Sequence, residues 1–560
     1  MSRLDAMIVV VGNTLYSTSA PVLLLGLRCA AGLSKCPLKS LDKSLPVFVR
    51  QAIDIIQQAG NTESEVVQVA LKSLATILRE GPAIQVKEKD LVYLLELLSP
   101  DLEDPSRQAS VFSMLRAIVA RRFVVPEIYD LMDRVSEVMV TSQSSQVQEL
   151  CRGVLLQFLL DYPQGKGRLR KQMTFLAKNV SYVYESGRKS VMELLGAVIT
   201  KFETSLIQEY SDLLFVALVM VIANDDSAKC REMAALLIKS LFTRLDDERR
   251  TVILSHLHSW ASQQAQPQLS QVSCQVYGLI IDTLQADSLS YITSMLDDLH
   301  VLLERSTRTL AATEEADSDS INMSVDLDWQ GPYQALTVLT KILRVFPDFA
   351  SPRERVPWNL VVPHLMFPHT WVRTASCRLL GLLFAAMPVG PPGDDDSNEY
   401  PLSTVGMREV TQKLCFQLKS DHLDEALGLQ IVKNLFYLAR CFYAIPLPDA
   451  AIENANSDED DGEKEPTDLK LLNPLPWLFS KLSYQIRSAH IARRNRAFSS
   501  VSNLQLWIDL DDQSHPVGEL VPTTSGRSPL VCGYGIAHGR WKIRKVPRTY
   551  FDPSVSPPGG

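Results

Sequence analysis

At 560 residues the chain is too long for a single hydrophobic core, since cores stop growing near ~250–300 residues; it must form several domains or one extended array. Apolar residues make up 46% and charged residues 21%, while aromatics at 7% and only 25 glycines favour helices over sandwiches or barrels. A net charge of -8 excludes a chain that coats nucleic acid along its whole length but leaves room for local basic patches.

The N-terminal stretch MSRLDAMIVVVGNTLYS is apolar in part, but Asp5, Asn13 and Thr14 make it a poor signal peptide. Beyond it a helix of one type recurs, beginning near Glu63, Pro105, Ser144, Glu185, Asp226, Pro267, Trp329, Thr370 and His422. Most starts lie about 40 residues apart, the spacing of HEAT-like helical hairpins. HTWVRTASCRLLGLLF (369–384) aligns with SAKCREMAALLIKSLF (227–242), placing Arg373 over Arg231 and Leu379, Leu380 and Leu383 over Leu237, Ile238 and Leu241. Apolar residues at steps of three and four give each helix one buried stripe. VVQVALKSLATIL (66–78) and VQELCRGVLLQFLL (147–160) repeat the pattern, and partner helices such as KDLVYLLELL (89–98) and EYSDLLFVALVMVIA (209–223) lie between. The longest apolar run, Leu213 to Ala223, falls short of the ~20 residues a bilayer span needs, so no membrane association is expected.

Two longer gaps hold TEEADSDSINMSVDLD (313–328) and PVGPPGDDDSNEYP (388–401). IENANSDEDDGEKEP (452–466) is acidic and free of aromatics, hence an expected disordered loop. Helix resumes over 467–498, and 501–560 forms an irregular tail. The expected fold is therefore an all-α, HEAT-like helical-repeat solenoid over 1–500, because hairpins of this kind hide both apolar faces only by stacking. The nine cysteines include no CxxC pair, and most are expected to be reduced, buried thiols.

No constellation for catalysis emerges, and neither an enzymatic activity, a cofactor nor a small-molecule substrate is expected. His256 and His258 stand at i, i+2, which points the rings to different faces of a helix and suits solvated side chains better than a metal. GYGIAHG (533–539) lacks the preceding strand and following helix that a dinucleotide site needs. Two basic groups are better candidates. In YPQGKGRLRKQM (162–173), Lys166, Arg168, Arg170 and Lys171 crowd a glycine-containing turn where cations can meet phosphates. In the second, Arg487, Arg493, Arg494 and Arg496 flank Tyr484, His490 and Phe498, a mixture of charge and rings that suits RNA. Ser318, Ser320 and Ser457 sit among acidic residues, a context that suits an acidophilic kinase.

RAIVARRFVVPEIYDLMDRVSEV (116–138), CRGVLLQFLLDYPQGKGRLRKQMTFLAKNVSYVYESGRKSVMELL (151–195) and NDDSAKCREMAALLIKSL (224–241) resemble the down-regulated-in-metastasis family, very large HEAT-repeat components of the small-subunit processome. The DYP-x-G turn, the ESGR-x-S helix start and the NDDSA-x-C repeat start are the most specific pieces. The resemblance covers roughly residues 60–500 and is to a C-terminal portion of the longer family members. It implies a non-catalytic scaffold in the nucleus and nucleolus, supporting precursor ribosomal RNA processing and 18S maturation with the U-three small nucleolar ribonucleoprotein. Implied partners are processome proteins and precursor ribosomal RNA or U-three small nucleolar RNA. The rival expectation is a HEAT-repeat adaptor, such as a nuclear transport receptor binding protein cargo. The seven Trp residues (260, 329, 358, 371, 477, 507, 541) follow no regular ladder, which lowers that reading.

Overall fold

In the computed structural model the described residues are 2–443, apart from 39, 264, 317–326, 351–354, 388–401, 403 and 421–422, together with 478, 482, 495–497 and 500. The segments 388–401, 452–466 and 501–560 lie outside them, as do Ser318, Ser320 and Ser457. The chain divides into two compact units, 1–255 and 256–560. Every regular element among the described residues is helical, which makes the fold an all-α, HEAT-like repeat.

The first unit contains α1 (Ser2–Thr14), α2 (Ala20–Leu33), α3 (Leu41–Ala59), α4 (Glu65–Glu80), α5 (Glu88–Leu98), α6 (Gln108–Ala120), α7 (Pro126–Thr141), α8 (Ser145–Asp161), α9 (Lys166–Asn179), α10 (Glu185–Lys201), α11 (Thr204–Asn224) and α12 (Ala228–Arg244). The unit boundary falls within α13 (Asp247–Ala261). The second unit contains α14 (Pro267–Leu284), α15 (Leu289–Ala316), α16 (Gln330–Val345), α17 (Trp358–Val361), α18 (Thr370–Ala386), α19 (Thr404–Leu418) and α20 (Glu425–Tyr443). The recurring helices expected from the sequence are α4, α6, α8, α10, α12, α14, α16, α18 and α20, each starting within a few residues of its anticipated place. The 313–328 gap is shorter than expected, because α15 runs on to Ala316.

Within the first unit the even-numbered helices lie side by side in one layer, and most also pack on an odd-numbered helix of the other. The second unit repeats this with α14, α16, α18 and α20. The core is aliphatic: Leu71, Leu74, Leu115, Leu195, Ile238, Leu339 and Leu380 are all fully buried. Six of the cysteines are buried with them, and burial pushes the Cys151 and Cys274 thiols up to about 12, which leaves them unreactive. α11 differs from its sequence reading. The apolar run lies within a 21-residue helix that is long and apolar enough to cross a membrane by length and composition, and half of its most apolar 18-residue stretch is buried inside the fold.

One local device recurs near the start of these helices, at the fourth residue after the N-cap in every case but Gln108, which opens α6. Gln68, Gln108 and Gln148 each donate a side-chain hydrogen bond to the carbonyl six residues earlier, on Thr62, Leu102 and Ser142. Arg188, Arg231 and Arg373 do the same to Tyr182, Asp225 and Phe367, and each also reaches the next carbonyl. The preceding turn carries carbonyls with no helical donor, and a long side chain at this position satisfies them. This is the physical reason that Arg373 aligns with Arg231.

Candidate functional site

The first basic group lies at the start of α9. The turn before it is pinned at several points. Tyr162 is buried and donates its hydroxyl to the carbonyls of Ile118 (3.2 Å) and Phe123 (2.9 Å). Tyr129 donates to the Pro163 carbonyl at 3.1 Å, and Gln164 Nε2 donates to the Phe158 carbonyl at 3.3 Å. Tyr129, Phe158 and Tyr162 form one ring cluster with centroids 4.8–6.3 Å apart. The DYP-x-G motif is thus a rigid mount for the helix that follows.

The cations stand on the first turns of α9 and not on the turn itself, where the sequence placed them. Residues 166–171 (KGRLRK) open the helix with no acidic residue in its first turn and Gly165 as an uncapped N-cap. Cations there face the positive end of the helix dipole, an arrangement that costs a few tenths of a kcal/mol per charge and normally favours carboxylates. Space around the helix start is open, since a methyl group at Gly165 or Gly167 would meet nothing within 4 Å.

The charges differ in their freedom. Arg168 lies with its guanidinium carbon 4.0 Å from the Tyr129 ring centre, a cation–π contact that holds it at the surface. Arg170 is exposed and forms no ion pair with a described residue. Lys171 Nζ sits 2.7 Å from Asp133 Oδ2, and that hydrogen bond raises its pKa further above the working range. Gln172 Nε2 holds the other Asp133 oxygen at 2.7 Å. Tyr129 and Asp133 were absent from the sequence-derived site. Each stands 38 or 39 residues before its partner, about one repeat length, a separation that becomes a contact only when one repeat packs on the next.

Of the second basic group, Arg487, Arg493 and Arg494 lie outside the described residues, while Arg496 is placed. It donates to the carbonyls of Leu418 (3.2 Å) and Ser420 (2.5 Å), closing the C-terminal end of α19. His258, read from the sequence as solvated, holds the buried Asp298 through Nδ1 at 2.7 Å, and Tyr277 donates to the same carboxylate at 2.6 Å. His256 stacks on Trp260 at 6.4 Å. Among the described residues no group of three or more His, Cys, Asp or Glu could hold a metal ion.

No family model matches the chain. It is 34% identical over 452 residues to U3 small nucleolar RNA-associated protein 20 of Schizosaccharomyces pombe, an alignment covering 79% of this chain and 17% of that protein. It is 29% identical over 438 residues to the protein of the same name of Saccharomyces cerevisiae, covering 78% of this chain and 17% of the relative. The chain therefore spans about a sixth of the length of the curated relatives it matches. Among solved structures it is similar to Kap121p, with TM-score 0.36 at 10% identity, covering 92% of this chain and 50% of that one. It is also similar to importin beta, with TM-score 0.35 at 12% identity, covering 88% and 56%.

Proposed function

We propose, from its homology to part of the proteins named U3 small nucleolar RNA-associated protein 20, that the chain is a non-catalytic scaffold segment in ribosome biogenesis. It acts in the nucleolus, within the small-subunit processome, and supports precursor ribosomal RNA processing and 18S maturation. The observation that carries this reading is 34% identity sustained over 452 residues. Stacked helical hairpins suit the role, since repeats of this kind present long surfaces to other macromolecules. Its RNA contacts run through Lys166, Arg168, Arg170 and Lys171, together with Arg487, Arg493 and Arg494, while Arg496 is taken up by the Leu418 and Ser420 carbonyls.

The test is to purify the tagged chain from cells and ask whether small-subunit precursor RNA sediments with it in a large particle. Recovery of the chain free of precursor RNA would overturn the reading. For the α9 group, replacing all four cations with Gln should weaken RNA binding and flatten its salt dependence by about 0.7–0.9 in log–log slope per lost phosphate contact. An unchanged slope would mean the chain is held in the particle through protein surfaces.

A further inference from the structure

We infer that the groove between α16 and α18 of the second unit binds an unpaired stretch of RNA, with a base stacked on Trp371 and phosphates held by Arg344 and Arg378. This site is separate from the α9 basic group and rests on the RNA-proximal reading of the chain. The groove encloses about 440 Å³ and is lined along one face of α16 by Tyr333, Thr337, Lys341 and Arg344, and along α18 by Trp371 and Arg378.

The geometry separates two kinds of chemistry. At one end stands a ring cluster. Trp329 and His369, at the N-caps of α16 and α18, stack at 4.1 Å with their planes 5° apart. Trp371 meets Trp329 edge-on at 5.1 Å and Tyr333 at 6.0 Å. His369 Nδ1 also accepts the Trp371 backbone N–H at 3.3 Å, so helix cap and ring cluster are one assembly. Trp371 nevertheless remains 57% exposed. An indole held by three neighbouring rings yet more than half exposed beside the groove is a prearranged stacking surface, which reduces the ordering cost of binding. Bases of any sequence stack on such rings.

At the other end stand the cations. Arg344 lies eleven residues beyond Tyr333, and Arg378 seven beyond Trp371, so at 1.5 Å per residue they sit roughly 16 and 10 Å along their helices. Both are exposed and neither makes an ion pair with a described residue. Lys341 is committed elsewhere, to the Gly278 carbonyl at 3.0 Å and Asp282 Oδ2 at 2.8 Å. Asp424 is the one carboxylate in the lining, and it caps α20 by accepting from the Leu427 N–H at 3.1 Å. Rings at one end and guanidinium groups along the floor match a strand whose bases and phosphates alternate. An acidic peptide would meet the cations but leave the ring face unused.

The test titrates the full chain into a fluorescein-labelled single-stranded oligouridylate and follows anisotropy and tryptophan fluorescence. Trp371→Ala should weaken binding roughly five- to a hundredfold, the range expected for one stacked base, and Trp371→Phe should restore most of it. Arg344→Gln with Arg378→Gln should flatten the salt slope by about 1.4, two phosphates at ~0.7 each. Because Arg344 and Arg378 are exposed, helical signal and melting should not move in their variant, and Trp371→Phe separates loss of a stacked base from loss of the ring cluster. If the groove variants bind like the parent while replacement of the α9 cations alone abolishes binding, the groove proposal fails and the α9 reading stands. Displacement of the RNA by polyglutamate, with Trp371→Ala without effect, would assign the groove to acidic peptides and also overturn it.

Discussion

Arg188 in α10 holds Asp225 at the start of the next repeat, with Nε 2.8 Å from Oδ2 and the two residues 37 positions apart. Arg188 is one-tenth exposed and Asp225 less, and the same guanidinium also bonds the Tyr182 and Val183 carbonyls. One side chain therefore closes the turn before its own helix and ties it to the following repeat. Removing one member of a buried pair costs about 3–5 kcal/mol when the other charge is left uncompensated, and because Asp226 still pairs with Arg188 the loss here falls toward the lower end of that range. Asp225→Ala should lower the melting temperature of the first unit by many degrees. Asp226→Ala, at an exposed partner of the same arginine, should leave it unchanged. Equal melting of the two variants in a calorimetric scan would show that the pair does not couple the repeats.

Gly187, one residue earlier, is needed for a different reason. A methyl group there would sit 2.5 Å from the Val140 carbonyl oxygen and 2.6 Å from the Tyr182 ring. Because the carbonyl belongs to backbone, it cannot move aside cheaply. Gly187→Ala should destabilise the chain by about 1–3 kcal/mol, as overpacking does. Gly167→Ala, where nothing lies within 4 Å, should stabilise α9 by about 0.5–1 kcal/mol through helix propensity. Opposite shifts in urea midpoint are the expected result.

His364 sets a pH dependence for the second unit. It is fully buried, with Nδ1 on the Leu360 carbonyl at 2.7 Å and Nε2 on the Ser306 hydroxyl at 2.9 Å, and burial holds its pKa down to about 4. The unfolded chain takes up a proton near 6.5 while the folded one does not, so stability is full above pH 6.5 and falls as pH drops toward 4. The loss approaches about 3 kcal/mol at the lower limit. Melting temperatures should decline across that window, and the part due to His364 should vanish in His364→Gln.

Asp133 restrains Lys171, so Asp133→Asn should release the ammonium toward an RNA phosphate. RNA affinity should rise and the salt slope steepen by up to about 0.7–0.9. A slope identical to the parent would place Lys171 outside any RNA contact.

Helical repeats write their period into the chain, because every hairpin must bury the same stripe against its neighbour. Nine helix starts, the apolar stripes of α12 and α18, and the kinship of Arg231 with Arg373 were therefore legible in the sequence. The ESGR and NDDSA motifs could be singled out there too, but not that Arg188 of one meets Asp225 of the other. Nor could local spacing show that Lys171 is bound by Asp133 while Arg170 is not, or that Arg496 closes α19. The seven Trp residues looked aperiodic, yet stacking of α16 against α18 brings Trp329 and Trp371 within 5.1 Å. A buried stripe follows from residues a few positions apart on one helix and so is visible locally. The partner of a surface charge or ring comes from a helix about 40 residues away, and only the packing of one repeat on the next selects it.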